Sequence, residues 1–366
     1  MQRRTTVTTL ISVGVLVALA VSGCGAAPDS SPSTSPAASN FLPCAVSDLT
    51  GFKDKDFNEL TYNGVKAAAD KLGVKVATAE SSAEDQYAGN ISALVNEGCN
   101  LIVTVGFALA SATRDSAKLN TDVDFALIDS ALSNDDFSPL VLPNVKPVLF
   151  DTAQAAVLAG YLAAGATKTG VVGTFGGMPF PSVTVFMDGF ADGIAHYNEV
   201  HGATVKLLGW DKAKQDGLFV GSFDDQNQAK TITENMLDQG ADIVMPVAGT
   251  LFKASIQAMI DQKIDGAVIG VNSDVYISAP EFKSYYLTSV MKNLTTAAEE
   301  VTLAAADGKF DNTAYIGTLA NNGVGIAPAH DWESKLDPAL LAEVDKLKAD
   351  IISGAFVVDS PSSPKG

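Results

Sequence analysis

The sequence predicts an α/β protein of two doubly wound parallel-sheet lobes, and three observations predict it. From Leu42 onward, short apolar runs of strand length alternate with amphipathic stretches of helix length, the pattern of parallel strands covered by helices on both faces. The chain has 366 residues, and about 325 remain once the first forty are set aside, a length that usually makes two domains. Hydrophobic residues reach 47% against 18% charged, which suits well-packed lobes.

The first forty residues stand outside that pattern. Arg3 and Arg4 precede the apolar run Leu10 to Val21, and Ser22-Gly23-Cys24 follow. That order is a signal peptide over residues 1–23, with an apolar run too short to cross a bilayer of ~30 Å. Val21-Ser22-Gly23-Cys24 resembles the lipobox of bacterial lipoproteins, which implies that Cys24 carries lipid and anchors the mature chain to the cell membrane, outside the cytoplasm. Residues 24–40, rich in Ala, Ser and Pro with Asp29 their one charge, are expected to be a flexible linker, because they cannot bury enough apolar surface to offset chain entropy.

In chain order the strand runs are LPCAVS (42–47), VKVATA (74–79), LIVTVG (101–106), DFALID (124–129) and PVLF (147–150). The second series is GVVGTF (170–175), TVKLLGW (204–210), ADIVMPV (241–247), AVIGVN (267–272), YYLTSV (285–290) and VGIAPA (324–329). Helices are expected at 57–72, 84–97, 152–167, 183–199, 226–239, 250–263, 291–306 and 337–352. With Cys24 lipidated, Cys44 and Cys99 remain in an oxidising compartment. If their runs are adjacent parallel strands, both thiols lie at one end of the sheet, so a Cys44–Cys99 disulfide is expected; two buried free thiols are the alternative.

Asp and Glu number 42 against 24 Lys and Arg, a net charge of −18, which argues against nucleic acid or anionic lipid as a partner. A ligand of an open α/β sheet sits beyond the strands' carboxyl ends. Those ends carry DLTGFKDKDFN, VGFA, IDS, TFGGMP, GSFDD, VAGT and GVNSD, richer in carboxylates, aromatics and glycines than solubility requires.

Several segments, in this order, resemble the basic membrane protein family: DKDFN (54–58), Gly64, IVTVGF (102–107), FALIDS (125–130), GYLAA (160–164), GVVGTFGG (170–177), DGFADG (188–193), GADIV (240–244) and LTSVMKN (287–293). Its members are substrate-binding lipoproteins of ABC transporters with the type I periplasmic-binding-protein fold, some of which bind purine nucleosides. The resemblance implies a three-stranded hinge, a purine nucleoside in the interlobe cleft and a permease in the membrane as partner. The expected lobes are 41–148 plus 277–306, and 149–274 plus 307–358. Asp56 departs from the family, which usually has a small residue there.

Phe57 is expected to stack on a planar base and Asn58 to read its edge, with a core contact as the plain alternative for Phe57. Asp129 and Asp274, from opposite lobes, could each accept ribose hydroxyls, or else cap the next helix or turn. Asp54 could hold the loop, and backbone amides at Gly249 and Gly106 could donate. By resemblance Lys292 is a donor and Phe223 the second face of an aromatic sandwich. Asp56, with Glu59 three residues on, fits a capping box and is left outside the site.

No cofactor, metal or catalytic residue is expected. The series Asp54-x-Asp56-x-Asn58 resembles a calcium loop, but Glu59 stands where an EF-hand has glycine and Val65 where it has glutamate. Two other readings stand beside the binding protein: a nucleoside hydrolase whose aspartates gather calcium, and a ligand-sensing lipoprotein not coupled to transport.

Overall fold

The computed structural model describes residues 40–136 and 138–365. The expected signal peptide and Cys24, the expected lipid anchor, lie outside the described residues. The strands are β1 (Pro43–Val46), β2 (Ala77–Ala79), β3 (Leu101–Val105), β4 (Asp124–Ile128), β5 (Val145–Phe150), β6 (Val171–Gly176), β7 (Lys206–Leu208), β8 (Trp210–Asp211), β9 (Asp216–Gly217), β10 (Ile243–Val247), β11 (Ala267–Asn272), β12 (Tyr286–Lys292), β13 (Tyr315–Gly317) and β14 (Val324–Ile326). The helices are α1 (Phe57–Leu72), α2 (Tyr87–Glu97), α3 (Ala110–Leu119), α4 (Thr152–Ala166), α5 (Pro181–His201), α6 (Gln226–Asp238), α7 (Phe252–Gln262), α8 (Val275–Ser278), α9 (Leu294–Ala306) and α10 (Pro338–Ser353). None of the described helices is long and apolar enough to cross a membrane.

Two six-stranded sheets organise the chain. The first has the order β13-β5-β4-β3-β1-β2, parallel throughout, and the second β14-β12-β11-β10-β6-β7, parallel except where β14 runs against β12. Strands β3 (LIVTV) and β10 (IVMPV) are buried along their whole length, because helices cover both faces of a parallel sheet. Helix α4 is buried nearly all round, packed against α5, α10, β12 and β14, and its alanine-rich sequence has no polar face. The short hairpin β8–β9, helix α3 and strand β13 were not among the expected elements.

Sheet membership corrects the expected lobe boundaries. Segment 277–306 is not all first lobe, since β12 pairs with β11 in the second sheet and only α9 crosses back to pack on α1. Segment 307–358 is not all second lobe, since β13 pairs with β5 in the first sheet. The chain therefore passes between the sheets after Phe150, after Lys292 and after Gly317. Backbone hydrogen bonds tie these crossings together: Asp151 N–H donates to Gly317 C=O (2.8 Å) and Asn293 N–H to Gly323 C=O (2.8 Å).

The cysteines join as expected. Cys44 of β1 is disulfide-bonded to Cys99, just before the adjacent parallel strand β3, with Cα atoms 6.0 Å apart.

Candidate functional site

The loop after β1 is built around Asp54 and Asn58. Asp54 caps α1 from below: its Oδ1 accepts from the N–H groups of Asp56 (2.9 Å) and Glu59 (3.0 Å), and its Oδ2 from that of Asn58 (2.9 Å). The Asn58 amide is fully buried and donates to Asp48 Oδ1 (2.9 Å), Thr50 Oγ1 (2.8 Å) and Asp54 Oδ2 (3.0 Å), while its oxygen accepts from Asp48 N–H (3.1 Å). Both its donors are in use, so the expected role of Asn58 in reading a ligand's edge is replaced by a structural one. What it holds is Asp48. The Oδ1 of Asp48 takes three hydrogen bonds, from Thr50 N–H, Thr50 Oγ1 and Asn58, whereas Oδ2 takes none among the described residues. Burial raises the Asp48 carboxyl above its ordinary value, and its free oxygen faces Gly106. A Cβ on Gly106 would lie 3.4 Å from the Phe57 ring and 3.8 Å from Asp48 Oδ2. Gly106 also has φ 100° and ψ 163°, a region essentially restricted to glycine.

Several side-chain contacts cross between the lobes. Lys292, at the end of β12, pairs with Asp129, just after β4, at 2.5 Å, with side-chain exposures of 2% and 9%. Burial raises Asp129, and the Lys292 ammonium opposes that shift. The same ammonium lies 4.8 Å from the Phe186 ring centre and 5.7 Å from that of Phe57. Asp56 accepts from Asn272 Nδ2 (2.9 Å) and Ser273 Oγ (3.3 Å) at the end of β11. Phe107, after β3, stacks on Phe180, after β6, with centroids 4.6 Å apart. Lys55, Asp129 and Asn272 all have positive φ (59°, 59° and 64°), so uncommon backbone geometry gathers where the strands face the cleft.

The structure thus brings Phe57, Gly106, Asp129 and Lys292 together, with Gly249 opposite Asp56, where an added Cβ would lie 3.8 Å from Asp56 Oδ2. Asp54 stays in its loop and holds it. Asp274 turns elsewhere: it caps α8 through Tyr276 N–H (3.1 Å) and pairs with His330 Nε2 at 2.7 Å. The two aspartates expected to clamp one ribose are thus engaged separately, Asp129 by Lys292 and Asp274 by His330. Asp274 lines a cavity of about 730 Å³ with Asn272, Lys292, Leu162 and Val344, and neither Phe57 nor Asp129 lines that cavity. Phe223 packs against Gly177 and Phe180, 6.1 Å between the latter's ring centres, and no ring pair joins it to Phe57 among the described residues.

Sequence reasoning missed Asp48, Asp56, Phe107 and Phe180. Asp56 makes no capping bond, and Glu59 accepts instead from Lys55 N–H (3.1 Å), so the capping-box reading of Asp56 is corrected. The signal for it was its departure from the family's small residue. Asp48 and Phe107 each lie two residues past the end of a strand, in the stretches already marked for inspection.

Known proteins match this chain along nearly all of its described length. The model of the Bmp family, described as PnrA-like ABC transporter substrate-binding proteins, covers residues 42–359. The ABC transporter nucleoside-binding protein BmpA of Lactococcus lactis subsp. cremoris is 29% identical over 332 residues, 86% of this chain and 88% of that protein. Basic membrane protein A of Borreliella burgdorferi is 27% identical, with 84% and 85% covered. A solved ABC transporter solute-binding protein from Aeropyrum pernix K1 superposes with a TM-score of 0.75 at 24% identity, covering 87% of this chain and 94% of that one.

Proposed function

The chain belongs to the family of PnrA-like ABC transporter substrate-binding proteins, and from that membership we propose that it captures a purine nucleoside between its lobes, outside the cytoplasm, and delivers it to a membrane permease. Cys24 is the lipid anchor in this reading. The observation that carries it is the setting of Phe57, which shares the neighbourhood of Gly106 with the free oxygen of Asp48 and has the Lys292 ammonium, paired with Asp129, 5.7 Å from its ring centre. A flat base stacks on the ring and gives an N–H to Asp48, while hydroxyls meet the ion pair. The L. lactis relative named for nucleoside binding supports the same class.

The magnitudes suffice. Stacking is worth about 1–3 kcal/mol per base and a charge-assisted hydrogen bond about 1.5–3 kcal/mol. Against an association cost of at least ~4 kcal/mol, such contacts reach micromolar affinity or tighter. The binder reading is supported over hydrolysis because Asp129 is engaged by Lys292 and Asp274 by His330, rather than converging on one bond.

Calorimetric titration with inosine, guanosine and adenosine, together with chromatography of the incubated nucleosides, tests both parts. Micromolar or tighter binding of at least one, with the nucleoside recovered intact, is expected. No heat with any of the three removes the nucleoside, and steady release of free base removes the binder.

A further inference from the structure

Asp56 differs from the other acids of the cleft. Its carboxyl is buried, it reaches across from the first lobe, and its hydrogen-bond partners, Asn272 and Ser273, carry no charge. The charged neighbours are few. Asp54 stands behind it on its own loop; Lys292 of β12 acts on it only through space and is already paired with Asp129. Beyond Ser273, Asp274 is paired with His330. Gly249, on the turn after β10, offers only backbone. Parting the lobes would return this carboxyl to water and free Asn272 and Ser273.

We propose that Asp56 is a positioning residue for capture, whose contact with Asn272 and Ser273 holds the lobes closed and whose carboxyl takes up a proton as they close. The proposal rests on the reading of a two-lobed receptor, and it does not depend on the ligand being a nucleoside. Burial in the closed form lifts the carboxyl from its ordinary 3.8 to about 7. In an open, hydrated cleft it returns toward the ordinary value. The closed form is the one with the raised value, so the advantage is complete below the open-state value and lost as pH rises through about 7. One-proton linkage then makes the closing equilibrium about twentyfold more favourable at roughly pH 5.5 than at roughly pH 7.5.

Small-angle scattering of the ligand-free protein across that range reads the lobe separation directly. The wild type is expected to compact as the medium acidifies. Asp56→Asn, which keeps shape and cannot titrate, and Asp56→Ser are expected to lose that response, and His330→Gln to retain it. A wild type whose radius ignores pH, or an Asp56→Asn variant that responds like the wild type, overturns the proposal. Neither outcome touches the nucleoside assignment, which the titrations decide separately.

Discussion

By residue type Asn58 is a reader of a ligand's edge, and by geometry it is the brace that aims Asp48. The difference lies in neighbours ten and four residues away, Asp48 and Asp54, whose combined demand for donors no single position displays. Lys292 is the converse, a residue whose charged partner, Asp129, comes from the other lobe. Truncating Lys292→Ala leaves Asp129 as a lone buried charge, a change that costs about 3–5 kcal/mol. Urea unfolding should show a loss of that order, and nucleoside affinity should fall tenfold or more. The double variant Asp129→Asn, Lys292→Met should regain most of the stability and none of the affinity. Recovery of both would take the pair out of the binding site. Gly106 and Asp129 were legible because each directly follows a strand, Phe57 because it opens α1 at the end of the loop after β1, and Lys292 through the family resemblance; Asp56 was not, because a capping residue and a cleft acid look alike until the opposite lobe is in place.

Among the elements, the helix pairs explain glycines that the sequence left without a role. A Cβ on Gly193 of α5 would lie 2.1 Å from Val157 C=O of α4, and one on Gly160 of α4 would lie 2.2 Å from Phe190 C=O. Gly64 gives the same close approach between α1 and α9, 2.2 Å from Thr295 C=O. These positions belong to packing rather than to the ligand. Gly193→Ala forces the two backbones apart, and overpacking of this kind costs about 1–3 kcal/mol. Gly325→Ala, with nothing within 4 Å of its added Cβ, is the control. Equal denaturation midpoints for the two variants would contradict the packing account. Strands and helices were largely readable from alternation. Helix α9 begins at Leu294 rather than 291 because β12 runs on to Lys292 and Asn293 caps the helix through Thr296 N–H.

At the scale of the whole molecule, the two-lobed architecture followed from composition and alternation, whereas the allocation of segments to lobes did not. A strand such as YLTSVMK has the same apolar character in either sheet, and the three residues of β13 are too few to show a period. The disulfide lies wholly in the first lobe and closes a separation of 55 residues. In the chain-entropy account a loop of that length stabilises by about 4 kcal/mol. Replacing both cysteines by serine should lower the thermal midpoint and leave nucleoside affinity unchanged; a parallel loss of affinity would mean that the bond also shapes the cleft. The Phe107–Phe180 stack has a different reach, because it bridges the two lobes directly, ring on ring. Stacked rings of this kind add about 0.5–1.5 kcal/mol beyond the area they bury, so part of what presses the two halves together is apolar and indifferent to ionic strength.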